Sequence, residues 1–219
     1  MIWTPHILNA SGSLSPWLGR LKDEADRAHD RLLQVLGPDV AMHPVDIVID
    51  PTAYGTIPEQ GIGGSCFRRD RIDVVLDPAN PNFATSLESG EFRRTLYHEY
   101  HHALRWARVG YGMTLGEALV SEGLAEHFDC EVSGSAPQPW TQVGDSGEIA
   151  AIRARAMPDI EAPYDHAAWF FNSESLTLPA SAGYKLGFAL VGAYLAKHPE
   201  KRPSRLAGIS ASAIISGAG

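Results

Sequence analysis

Between Leu18 and Val35 apolar residues return every three or four positions (Leu18, Leu21, Ala25, Ala28, Leu32, Val35), with mostly polar residues between them. That period is the one a helix needs to bury a single face. Ser15 as N-cap and Pro16 at the first helical position predict its start, and Gly37-Pro38 its end. Asp23, Glu24, Asp26, Arg27, Asp30 and Arg31 read as the solvated face, with His29 as a surface histidine. Ahead of the helix, Ile7 and Leu8 suit a short strand before the polar turn Asn9 to Ser13. After it, Val45 to Ile49 is β-branched and bounded by prolines, the pattern of a buried strand. Arg71 to Leu76 sets Ile72, Val74 and Leu76 against Asp73 and Val75, a half-exposed strand. Gly61, Gly63 and Gly64 fall in what reads as a long loop. A phosphate cradle there is disfavoured, because no Lys-Ser/Thr follows the glycines.

The pattern then turns helical. Phe92, Leu96, Ala103 and Trp106 keep helical spacing, Glu88 and Glu91 put acids in the first turn, and Gly110 closes the stretch. Thr114 and Glu117 have the capping-box spacing, so another helix begins near Leu115. Prolines and glycines interrupt residues 131–163 around one helical stretch, Glu148 to Met157. Trp169, Phe170 and Phe171 read as a core cluster. From about Ala180 to Lys197 the chain is apolar all round, which predicts a buried helix. Tyr184, Gly187, Val191 and Tyr194 line one stripe of it, and the tail after Leu206 leaves room for one more short helix. The pattern as a whole is α+β: a small N-terminal sheet and a mainly helical C-terminal half, one domain with lobes of residues 1–112 and 113–219.

At 219 residues and 44% hydrophobic, the chain has enough apolar material for a real core. A formal net charge of −8 with scattered arginines argues against a nucleic-acid partner. Cys66 and Cys130 are too few for a disulfide framework and form no CxxC pair, so free thiols of a reducing compartment are expected. The opening Met1 to His6 has no basic region or long apolar core, and no later run approaches membrane-span length. A soluble, cytoplasmic protein without a membrane partner is the expectation.

One stretch brings chemistry. In His98-Glu99-Tyr100-His101-His102 two histidines four apart enclose a glutamate, the HExxH pattern. On a helix both imidazoles share a face one turn apart and can converge on one Zn²⁺, while Glu99 stands beside them to take a proton from water. His98 and His101, three apart, are the alternative chelating pair. A site of two histidines and one glutamate needs a third ligand. Glu122 follows His102 after nineteen residues, a distance at which a helix, a short turn and an antiparallel helix would return a carboxylate to the imidazoles. Glu126, one turn further, would then accept a hydrogen bond from the far nitrogen of His98. Gly123 between them fits a close approach of those two helices.

HEYHH followed by SEGLAE at this distance resembles the gluzincin metallopeptidases. A wider set, Gly61 to Asp77, YHEYHHALRW, EALVSEGLAEHF, AWFF and GYKLGFALVGAYLAKHP, resembles a bacterial family described as predicted zinc-dependent proteases, over most of the chain. The resemblance implies a zincin-like fold, with the small sheet lying over the active-site helix and the helical half completing the ligand set. It implies zinc-dependent peptide-bond hydrolysis with Glu99 as general base, on a peptide or protein substrate. It also implies that an edge strand, taken as Asp73 to Leu76, pairs with an extended peptide. Tyr184 is the candidate oxyanion donor and His166 the alternative. The chain is shorter than secreted gluzincins and lacks a separate subsite domain. That suits a narrow peptide substrate or, alternatively, a zinc-binding regulatory or peptide-binding protein with little proteolysis. Asn172 follows AWFF where glycine is expected.

Overall fold

Alternate residues along the strands are buried, and that alternation builds the first half of the chain. The computed structural model describes residues 2–143, 146–171 and 178–218. Among them, β1 (Trp3–Ile7), β2 (Val45–Pro51), β3 (Ile62–Arg68) and β4 (Arg71–Leu76) form one sheet in the order β1-β2-β4-β3. β1, β2 and β4 run parallel, and β3 is antiparallel to β4. Ile47 pairs with Ile72 and Ile49 with Val74; all four are fully buried, while Asp46 and Asp50, which flank Ile47 and Ile49 on β2, are exposed. The mixture of a small four-stranded sheet with mostly helical structure is α+β.

Contacts divide the chain into two compact units, Met1–Ala107 with Val132–Gly134, and Arg108–Glu131 with Ser135–Gly219. In the first, α1 (Leu18–Leu36) packs on β1, and α2 (Phe83–Ser89) precedes α3 (Glu91–Trp106), which packs on α1, β3 and β4. Gly90, at φ 95°, separates α2 from α3. Glu88 therefore belongs to α2, and only Glu91 sits in the first turn of the motif helix, which ends at Trp106 rather than Gly110.

Several expectations change here. The first strand is Trp3–Ile7, anchored by the buried Trp3, and Leu8 lies beyond it, largely exposed. Ser15 lies in a short 3₁₀ turn, and α1 starts at Leu18. Glu24 is fully buried rather than solvated: it pairs with Arg20 and Arg27 on its own helix and with Arg93 of α3. The glycines at 63 and 64 form part of strand β3, not a loop. β4 consequently lies inside the sheet, and the edge strands are β1 and β3.

In the second unit, the capping box forms as expected. The Glu117 carboxylate accepts from the backbone N–H groups of Met113 and Thr114, and Thr114 Oγ1 accepts from Glu117 N. Helix α4 (Leu115–Ser133) follows, then α5 (Ser146–Ala156), α6 (His166–Phe170), α7 (Ala182–Lys197) and the expected short terminal helix α8 (Ala211–Ala218). Leu119, Ile152, Trp169, Phe170 and Leu186 share one core, but Phe171 is 63% exposed and lies outside it. Gly123 does mark a close helix approach, although its partner is α7: a Cβ there would stand 2.2 Å from Gly187 O. Asn172 lies outside the described residues. No helix among those described is long and apolar enough to cross a membrane.

Candidate metal centre

Helix α3 buries Phe92, Leu96, Tyr100 and Ala103, and this fixes the direction in which the neighbouring face points. On that face His98 and His102 bring their Nε2 atoms to 3.0 Å of each other, with ring centroids 4.8 Å apart. A tetrahedral zinc bonded to two imidazoles at about 2.0–2.1 Å needs those nitrogens about 3.3 Å apart. The two rings thus converge as a chelating pair must. His102 is buried and His101 wholly so.

Glu99 is buried on the same helix, against the edge strand. A Cβ on Gly64 of β3 would stand 2.7 Å from Glu99 Cγ and 2.9 Å from its Oε1. Trp106 Nε1 donates to the carbonyl of Cys66 at 2.8 Å, tying the same strand to the end of α3. Burial first, and then the nearby charge of Glu99, push the Cys66 thiol up to about 12. Neither Cys66 nor Cys130 forms a disulfide.

In the second unit, Glu122 of α4 is 5% exposed, and the hydroxyl of Tyr111 donates to its Oε1 at 2.7 Å. Burial, and then the Glu122 charge, raise the Tyr111 phenol well above the ordinary tyrosine range, so it stays a neutral donor. Glu126, almost fully buried, accepts from Trp140 Nε1 at 2.7 Å. An indole donor thus occupies one oxygen of the carboxylate expected to hold His98. His166 lies at the start of α6, its Nδ1 3.1 Å from the Tyr164 hydroxyl and its ring stacked on Phe170 at 4.7 Å. Burial pushes the Tyr164 phenol up to about 12. Tyr184 sets its ring edge-on to Phe170 at 5.1 Å, beside the core.

Among the described residues, His98, His102 and Glu122 make up a group that could hold a metal ion, with one ligand atom from each within 4.8 Å of the others. Two imidazoles and a carboxylate are a donor set suited to Zn²⁺. His101 is not in the group.

Residues 23–216 match the family described as predicted Zn-dependent protease (DUF2268). The chain belongs to that family. No curated protein and no solved structure matches it. For this member of the predicted Zn-dependent proteases, the sequence pattern pointed to both histidines and the glutamate of the group, because HExxH and its spacing to Glu122 are visible along the chain. It did not point to Tyr111 or Trp140. Each bonds a helix carboxylate across a loop, a pairing with no periodic trace. The nearness of β3 to Glu99 did leave a trace, since glycine inside a strand marks close backbone approach.

Proposed function

We propose that this chain is a zinc-dependent peptidase of the gluzincin type, with His98, His102 and Glu122 as metal ligands and Glu99 as general base. The observation that carries the reading is the convergence of the two Nε2 atoms on one face of α3, 3.0 Å apart, beside a buried glutamate. Family membership supports the same metal and the same class of reaction. Zinc in such a site acts as a Lewis acid that lowers the pKa of a water to about 7 and polarises a carbonyl. Glu99 takes the proton of the attacking water and delivers it to the leaving amine. The ring packing of His102 and the burial of Glu99 keep both groups in place before substrate arrives.

The substrate in this reading is an extended peptide, added to the sheet along β3 rather than β4. β3 is an edge strand antiparallel to β4, with its first residue Ile62 also bridged to Ile57, and Gly64 brings it against Glu99. A peptide paired there would pass beside the base. Tyr184 and His166 stay as candidate donors to the oxyanion, each held in the aromatic cluster around Phe170.

The test is Glu99→Gln. The variant should keep about one zinc per chain and lose about 10²–10⁴-fold or more in kcat on a peptide that the parent cleaves. A Gln variant that still cleaves at the parental rate refutes Glu99 as base. A parent that binds zinc but cleaves no peptide in a diverse library refutes the peptidase reading.

A further inference from the structure

We infer that Tyr111 is a positioning residue of the metal centre: by donating to Oε1 of Glu122 it sets the rotation of the carboxylate presented to the metal. The inference rests on the ligand role proposed for Glu122 and concerns how that ligand is held.

The hydrogen bond is built into the loop that leads into α4. The hydroxyl of Ser121 donates to the backbone carbonyl of Tyr111 at 2.6 Å, and the hydroxyl of Tyr111 donates to Glu122 Oε1 at 2.7 Å. Consecutive residues of α4 therefore grip the main chain and the side chain of the same tyrosine. Just beyond it, Glu117 fixes Met113 and Thr114 through the capping box. The loop cannot swing Tyr111 away without breaking its bonds with Ser121 and Glu122.

The chemistry follows from the side chain it holds. A glutamate has three rotatable bonds, and binding a metal requires that they be frozen. A bond from a fixed phenol freezes them beforehand, and it directs the carboxylate in the way that outer hydrogen bonds direct metal ligands generally. The Tyr164 hydroxyl bonds that of Tyr111 and also lies 3.1 Å from His166 Nδ1, so it ties the phenol to a further side chain. The His166 ring lies 6.2 Å from that of Tyr111, tilted against it. Phenylalanine at position 111 would preserve the packing and delete this donor.

The experiment compares the full-length parent with Tyr111→Phe in three measurements: zinc affinity by competition with a chromogenic chelator, the visible absorption of the Co²⁺ forms, and thermal unfolding of the metal-free proteins. The expected result is zinc binding weaker by about 10- to 100-fold and shifted cobalt bands, in a variant whose metal-free form still unfolds cooperatively. The cobalt bands report ligand geometry, which a purely structural tyrosine would leave alone. Equal zinc affinity with an unchanged cobalt spectrum overturns the inference while leaving the peptidase reading standing. A parent that binds neither ion overturns that reading, and the inference with it. Should Tyr111→Phe fail to fold, Ser121→Ala releases the tyrosine from its backbone side; a folded Ser121→Ala with parental zinc affinity overturns the inference as well.

Discussion

Gly64 and Glu99 touch. A methyl group at Gly64 would stand 2.7 Å from Glu99 Cγ and 2.6 Å from Thr95 Cγ2, closer than carbon atoms pack. Strand β3 can lie this near the motif helix only because position 64 has no side chain. Gly64→Ala should therefore push strand and helix apart, at about 1–3 kcal/mol of overpacking, and displace Glu99, the proposed base, from the strand on which we place the substrate. Thermal unfolding and peptide cleavage measured together check this; parental values in both would show that the contact is not constraining.

His101 and His102 are neighbours with different expected fates. His102→Ala should abolish stoichiometric zinc binding, because it removes one of the two converging nitrogens. His101→Ala should keep the zinc and lose stability, since it empties a wholly buried position. Zinc content by elemental analysis, beside unfolding midpoints, separates the two. Loss of zinc on changing His101 alone would exchange the ligand assignment.

Gly123 and Gly187 let α4 and α7 meet backbone to backbone. An added Cβ would lie 2.2 Å from Gly187 O in one case and 2.3 Å from Leu119 O in the other. Backbone carbonyls on helices cannot rotate aside, so Gly123→Ala and Gly187→Ala should each cost at least the upper part of the ~1–3 kcal/mol overpacking range, despite the better helix propensity of alanine by about 1 kcal/mol. Chemical denaturation checks the sign.

Glu24 is fully buried and meets three arginines of unequal weight. Arg20 and Arg27 are 41% and 66% exposed, and pairs of that kind contribute little. Arg93 is 29% exposed and reaches Glu24 from another helix. Arg93→Ala should thus destabilise the chain more than Arg20→Ala or Arg27→Ala. Glu24→Ala, which strands charges around a vacated site, should cost the most. A ranking of unfolding midpoints in the opposite order would remove Glu24 and Arg93 as the α1–α3 tie.

Cys66 makes a pH prediction. Its thiol titrates at about 12 in the folded chain against a reference of 9.0, so between those values the folded state binds the extra proton. Stability should fall as pH rises across that window, and the thiol should add no pH dependence below it. Unfolding midpoints of the parent and Cys66→Ala from roughly pH 8 to 11 check this, the parent being the steeper. At the lower end of that range iodoacetamide should modify Cys130 before the buried Cys66.

Features that repeat along one stretch of chain were legible without coordinates. The helical spacing of Leu21, Ala25, Ala28 and Leu32 predicted α1, the alternation of Ile72, Val74 and Leu76 predicted β4, and Thr114 with Glu117 predicted the start of α4. HExxH belongs to this class, because a separation of four residues on a helix fixes which side chains share a face, whatever the rest of the molecule does.

Tertiary structure decided what distant segments do to one another. A polar residue among other polar residues on α1 carries no mark that Arg93 will arrive and bury it, so Glu24 read as solvated. Strand order depends on which strand pairs with which. The glycines at 63 and 64 became part of an edge strand that pairs with β4, and so took β4 from the edge to the interior. Tyr111 bonds Glu122 across a loop, and Gly123 meets α7, through single long-range contacts that leave no period in the chain. By itself the sequence determined that His98 and His102 share a helix face beside Glu99; the tertiary structure decided which strand lies beside Glu99 and which tyrosine holds the Glu122 carboxylate, because those depend on pairings between segments rather than on the geometry of one.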